Sequence, residues 1–317
     1  MSQGHDAPAI RRSAQRHGAH TDSQLPIREV ARRTGVNPVT LRAWERRYGL
    51  VAPQRTAKGH RLYSEEQVAQ IRNILTWLGR GVAVSKIRDL LLNDSARVAD
   101  SVSPWDALLQ QSLAAIGQID ERRLDELFNG ALAIYPAGTL CEHFMQPLLD
   151  ELERRWQGQF GNQLERVFFH SWLRSKFGTR LYHHNRQQPG APLLLVNQSD
   201  QALEPGLWLS AWLASSSGCP IVVFDWPLPP GELALAVERL RPRGVLLYSS
   251  RTLNLAQLQR LLAGIDCPRL IGGAAVCIHG QELAELADNN PGLHLARDPL
   301  STLHALQELR LLQGSAG

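Results

Sequence analysis

Asn37-Pro38 constrains this chain more than any other pair of residues. Proline cannot continue a helix from upstream, but its fixed φ suits the first position of a new one, and asparagine is a good N-cap. Two residues earlier, Gly35 stops the helix that the apolar positions Ile27 and Val30 predict over Ile27–Thr34. Helix, short turn with glycine and second helix is the layout of a helix-turn-helix. On the second helix, Leu41, Trp44 and Tyr48 fall at buried spacing. The opposite face carries Val39, Arg42, Ala43, Arg46 and Arg47. Arginines among small side chains suit a helix set into a major groove, where guanidinium groups reach phosphates or guanine edges.

Gly49 ends that helix. The turn-rich segment from Pro53 to His60 carries Arg55, Lys58 and Gly59, and His60-Arg61-Leu62-Tyr63 follows, which predicts a basic hairpin wing beside the helix. Between Pro26 and Tyr63 there are nine Lys/Arg and two acids, a net +7. The first 25 residues add +1 to a total of +4, so the remainder sums to −4. A basic patch on a mildly acidic body is the electrostatic footprint of a DNA-binding module.

The string Thr40-Leu41-Arg42-Ala43-Trp44-Glu45-Arg46, then Gly49-Leu50, then Gly59-His60-Arg61-Leu62-Tyr63, resembles the winged-helix DNA-binding domain of the MerR family of bacterial regulators, from about Leu25 to Leu92. Ala43 and His60 depart from it, standing where relatives often carry tyrosine. The helix faces and the resemblance together give the expected DNA contacts: Thr40, Arg42, Arg46, Arg47, Arg55, Lys58, His60, Arg61 and Tyr63. The resemblance also implies a homodimer on an inverted-repeat promoter, distortion of double-stranded DNA to realign promoter elements, and RNA polymerase as a partner there.

At 317 residues and 44% apolar content, the chain can build two or three domains. Residues 1–24 are polar and read as a disordered tail whose His5, His17 and His20 are solvated. Ser64 with Gln67 predicts a capping box. Behind it, Val68, Ile71, Ile74, Leu75 and Leu78, then Val84, Ile87, Leu90 and Leu91, predict two helices that buttress the recognition helix and complete a domain over 25–92. Residues 93–104 read as a linker. Residues 105–186 are helical throughout, with Leu108, Leu109, Leu113 and Ile116, then Leu124, Leu127, Phe128 and Leu132, at amphipathic spacing, which predicts a four-helix bundle. Cys141, Cys219, Cys267 and Cys277 are far apart and form no CxxC pair, arguing for a reducing cytoplasm and against a cysteine metal sensor. No apolar run approaches about 18 residues, and no signal-peptide core is evident, so a cytoplasmic, nucleoid-associated protein without membrane contact is expected.

From 191 to 313 the texture changes to apolar strands near 193–196, 221–224, 245–248, 270–271 and 293–295. They alternate with helices over 205–217, 231–240, 254–263, 281–287 and 300–312. Five βα units of this kind predict a parallel, doubly wound sheet, most simply in the flavodoxin-like order 2-1-3-4-5, with its crevice beyond the ends of the first and third strands. The fold class is therefore mixed: winged helix, helical bundle and flavodoxin-like α/β domain.

Bundle and sheet together resemble the cobalamin-binding module of the light-sensing CarH and LitR type regulators, and more closely the MlrA-like branch, in which that module has drifted. Met145-Gln146-Pro147-Leu148-Leu149 followed by Trp156, Ser250-Arg251-Thr252 after the third strand, and Gly272-Gly273 after the fourth carry the likeness. The family's Glu-His corresponds here to Glu165-Arg166, at a spacing one residue shorter. Its Asp-x-His-x-x-Gly corresponds to Gln201-Ala202-Leu203-Glu204-Pro205-Gly206. Leucine cannot ligate a metal, so cobalamin held through that position is not expected, and no cofactor or metal is assigned. Trp156, Arg166, Gly206, Ser250, Thr252, Gly272 and Gly273 form the candidate effector pocket. Each also has a plain reading: Trp156 as core, the glycine pair as a tight turn, Ser250 and Thr252 as helix-start residues. His170 and His183-His184 read as surface or satisfied core histidines. No catalytic constellation appears, so a non-enzymatic regulator is expected. The alternatives are a sensor of cobalamin or another small molecule, or a C-terminal module used only for protein interaction.

Overall fold

A computed structural model of the chain describes residues 24–92, 103–157 and 162–312. The expected tail apart from Gln24, its three histidines, residues 93–102 of the expected linker and position 313 lie outside the described residues. Ser103 and Pro104, expected in the linker, already cap and begin a helix.

Two left-handed glycines shape the N-terminal unit. Strand β1 (Leu25–Pro26) leads into helix α1 (Ile27–Thr34), and Gly35 (φ 71°) turns the chain. The Asn37 side chain accepts from the Thr40 N–H at 2.9 Å. Pro38 opens α2 (Pro38–Ala43), which continues as a wider π-type turn, Trp44–Tyr48, and Gly49 (φ 59°) ends it. Residues with a Cβ rarely adopt such angles. Strands β2 (Gln54–Arg55) and β3 (Arg61–Tyr63) form the wing, an antiparallel sheet of order β1-β3-β2. The Ser64–Gln67 capping box starts α3 (Glu65–Gly79), which buries Val68, Ile71, Ile74 and Leu78, and α4 (Val84–Leu92) follows.

The middle unit comprises α5 (Pro104–Gly117), α6 (Glu121–Leu132), α7 (Ala137–Leu140) running through Cys141–Met145 into α8 (Gln146–Trp156), and α9 (Asn162–Asn185). Counting α7–α8 as one rod, four helical rods pack together as the amphipathic spacing predicts.

The last unit alternates β4 (Leu193–Asn197), α10 (Pro205–Ser216), β5 (Ile221–Phe224), α11 (Pro230–Leu240), β6 (Gly244–Tyr248), α12 (Leu255–Ala263), β7 (Arg269–Gly272), α13 (Ala275–Ile278), α14 (Gly280–Asp288), β8 (Leu293–Ala296) and α15 (Pro299–Glu308). All strand pairs are parallel in the order β5-β4-β6-β7-β8, the expected 2-1-3-4-5, with Leu195 registered against Val223 and Leu246. Two details differ from the sequence reading. The short α13 was not expected. Helix α15 stops at Glu308 instead of continuing to Leu312, because Arg310 turns left-handed (φ 55°) and the Leu311 N–H returns to the Leu306 carbonyl at 2.9 Å. One apolar core runs from the winged helix through the bundle to one face of the sheet, and a second fills the other face. Helix α10, buried from Leu207 to Ser215, joins sheet and bundle by packing on α9 and α15.

Candidate DNA interface and interdomain cleft

The recognition helix is anchored by its inner face. Leu41 and Trp44 are buried and Tyr48 is half-buried, as their spacing predicts. The Trp44 indole N–H also donates to the Ile134 carbonyl of the bundle at 2.8 Å. A backbone carbonyl leaves no trace in a sequence pattern, so this tie between units could not be read beforehand.

On the outer face, Arg42, Arg46 and Arg47 are exposed and make no ion pair among the described residues. Val39, 59% exposed, stands beside them, an apolar group suited to a thymine methyl. Lys58 and His60 are exposed on the wing. Arg55 is exposed but donates to Glu45 at 2.7 Å, and the half-buried Arg61 donates to the other carboxylate oxygen. Burial alone would push the Glu45 carboxyl up; hydrogen bonds from Arg61 and Arg55 outweigh it and hold the group below the usual carboxylate range. Glu45, which the sequence reading did not single out, thus ties wing to helix.

Two expected DNA contacts are core residues. Thr40 is fully buried because it lies one helical turn before Trp44 on the same side, and its hydroxyl has no partner. Tyr63 is fully buried, paired with Leu25 in the small sheet, and burial pushes its phenol up to about 12. Arg61 is engaged by Glu45 rather than free.

The crevice lies where the strand order predicts, between α8 and the loops beyond β4, β6 and β8. This cavity of about 630 Å³ is lined by Asp150 and Glu153 of α8, Glu204, Gly206, Ser250 and Thr252, among others. Glu204 is buried, which pushes its carboxyl up, and one of its oxygens accepts both the Ser250 N–H and the Ser250 hydroxyl at 3.0 Å. Ser250 is therefore a partner for a buried acid, not a helix start; α12 is capped by Asn254.

The expected pocket does not form as one slot. Gly206, Gly272 and Gly273 surround the ring of Tyr248. A Cβ on Gly206 would sit 2.0 Å from the Tyr248 Oη, one on Gly272 2.8 Å from its Cδ2, and one on Gly273 2.9 Å from its Cε1. Gly272 and Gly273 are buried; at Gly272 the Leu246 side chain is about as close as Tyr248, and at Gly273 the Ser249 carbonyl oxygen, 2.3 Å from an added Cβ, is closer still, so these approaches, besides the turn at Gly273 (φ 95°), are what require glycine. Leu203 is buried. Arg166 faces an adjoining cavity and donates to Gln201 at 3.0 Å, with Glu153 at 3.7 Å and the Trp156 ring 5.7 Å away. Trp156 is half-buried, and its indole N–H has no partner. His184 meets the Ser215 hydroxyl at 2.9 Å, whereas the shielded Nε2 of His170 has no partner, contrary to the reading of His170 as surface or satisfied core. Among the described residues, all four cysteines are free, no cluster of His, Cys, Asp or Glu could hold a metal, and no helix is long and apolar enough to cross a membrane.

Residues 25–94 match the family model for the MerR HTH family regulatory protein, and residues 108–180 match the B12 binding domain model. The HTH-type transcriptional regulator MlrA of Escherichia coli (strain K12) is 34% identical over 227 residues, covering 72% of this chain and 85% of that protein. The chain belongs to the MerR family, in its MlrA-like branch. MlrA of Salmonella typhimurium (strain LT2) is 32% identical over 242 residues, 75% of this chain and 93% of the relative. The HTH-type transcriptional repressor CarH of Myxococcus xanthus is 26% identical over 284 residues, 82% of this chain and 92% of its own. This MerR-family transcriptional regulator thus shares its order of units, winged helix before B12-binding-type module, with CarH.

Proposed function

We propose that this regulator binds an inverted-repeat promoter site as a homodimer, acts there with RNA polymerase in the cytoplasm, catalyses no reaction, and has lost cobalamin binding. The observation that carries the DNA reading is the row of exposed Arg42, Arg46 and Arg47 on one helix face, unpaired among the described residues, with Lys58 on the adjoining wing. One recognition helix reads only a half-site, so two copies related by a two-fold axis suit a dyad-symmetric operator. The loss of cobalamin is supported by two features. Leu203, without a donor atom, stands where a ligating histidine is expected, and Tyr248 fills the space between the three glycines. These residues do not fit a corrinoid held through that loop. The cavity lined by Arg166 favours a second reading, a sensor of a different small molecule.

The test of the DNA reading is Arg42→Ala in a gel-shift series at fixed salt. Losing a bidentate base contact costs about 1–3 kcal/mol, so affinity for the specific site falls about tenfold. Unchanged affinity removes Arg42 from the interface.

A further inference from the structure

A cavity of about 380 Å³ opens between α9 and the loop after β4, a volume typical of small-ligand sites. Helix α9 lines it with Arg166, His170 and Arg174, each one turn beyond the last and so on one face. Arg251 joins them from the loop after β6, Gln163 and Gln201 add amides, and no carboxylate lines the cavity.

The charges are only partly compensated. Arg174 is held by Asp225 at 2.9 Å and by the Ala202 carbonyl at 2.6 Å. Arg166 has Gln201 at 3.0 Å and Glu153 at the looser distance of 3.7 Å. The exposed Arg251 guanidinium makes no hydrogen bond or ion pair among the described residues. His170 is mostly shielded, packs edge-on against Trp156 with centroids 5.6 Å apart, and leaves Nε2 without a partner. A polar atom kept from water and unpaired in a folded chain calls for an explanation. Burial, then the charges of Arg166 and Arg174, holds this imidazole neutral, down to about 4.

One occupant accounts for all of this. An anion would neutralise the surplus guanidinium charge, and two arginine forks match the planar geometry of carboxylate or phosphate oxygens. Its charge would also reverse the field that keeps His170 neutral. We infer that this cavity is a binding site for a small polyanionic metabolite carrying phosphate or carboxylate groups, held by Arg166, Arg251 and His170. It adjoins the cleft around Gly206 and Ser250, with which it shares Gln201 and Arg251, and does not rest on the DNA-binding reading.

The test follows the His170 ring by NMR in full-length protein labelled at histidine, without DNA. His170→Gln identifies the resonance by its loss. Titration with pyrophosphate and with citrate, against sodium chloride at equal ionic strength, is expected to move the His170 signal saturably and raise its titration midpoint, while chloride does not. Response to pyrophosphate supports a phosphate ligand, and response to citrate a carboxylate ligand. Arg251→Gln, on an exposed loop where folding is not at stake, is expected to weaken the response about tenfold, and Arg166→Gln by a similar factor. A His170 resonance that neither anion moves, or that responds in both arginine variants as strongly as in the unsubstituted protein, overturns the proposal.

Discussion

Gly206→Ala is a test of how tightly Tyr248 fills the space a ligand would need. The new Cβ would lie 2.0 Å from the tyrosine Oη, 2.6 Å from Cζ and 2.9 Å from Cε1, all far inside van der Waals contact. The ring has little room to swing away, because it is buried and Gly272 and Gly273 back its other edges. Overpacking of this kind costs about 1–3 kcal/mol, and this overlap belongs at the upper end, near 3. Tyr248→Ala alone leaves a cavity and costs about 3–5 kcal/mol, as other buried aromatics do. In the double variant the methyl meets no ring, so adding Gly206→Ala to Tyr248→Ala costs close to nothing. The expected coupling is about 2–3 kcal/mol in favour of the double variant, within the range for contacting residues. Urea unfolding followed by tryptophan fluorescence gives the free energies, since Trp208 and Trp212 lie on the same helix as Gly206. Costs that add to within about 0.5 kcal/mol would refute the packing argument.

Lys58→Ala removes a cation free of ion pairs among the described residues, so the slope of log affinity against log salt drops by about one unit on all DNA sequences. Arg55→Ala changes that slope less, because Arg55 already neutralises Glu45; equal slopes for the two variants would show that the Glu45 tie is broken on DNA. His170, held neutral down to about 4, stays uncharged in the fold while the unfolded chain protonates near its ordinary value of about 6.5. Its stabilising effect is complete above about 6.5 and is lost as pH falls from there toward 4. Between pH 6.5 and 5, the protein should lose on the order of 2 kcal/mol more in urea unfolding than His170→Gln does; parallel pH profiles would reject the shift.

Local rules were enough for much of the architecture. Asn37-Pro38, Gly35 and Gly49 act within a turn of their own position, and the five apolar strand runs are bounded by their own breakers, so each was legible in the sequence. Side-chain direction was less so. Thr40 sits among residues of the outward face in the motif, yet the helix turns it onto the Trp44 side. Tyr63 closes a segment that carries Lys58, His60 and Arg61, yet the strand alternation points it inward. Contacts between distant segments could not be read at all. The enclosure of Tyr248 needs the start of α10 and the end of β7 to converge on the end of β6, and the cavity beside His170 needs Arg251 from beyond the third strand of the sheet. Helix α15 continues as an apolar run past its true end, because Leu311 and Leu312 are buried after a turn instead of along a helix.

Sequence-specific DNA binding by this regulator is expected to need no corrinoid. Corrinoid-free full-length protein would be used to select fragments from its source genome. Anisotropy on the recovered site would then be measured at fixed salt, in the dark and in light, with and without adenosylcobalamin. A dyad-symmetric site bound with the same affinity in all four conditions is expected. Failure to enrich any sequence, or binding that adenosylcobalamin creates or light releases, would contradict it.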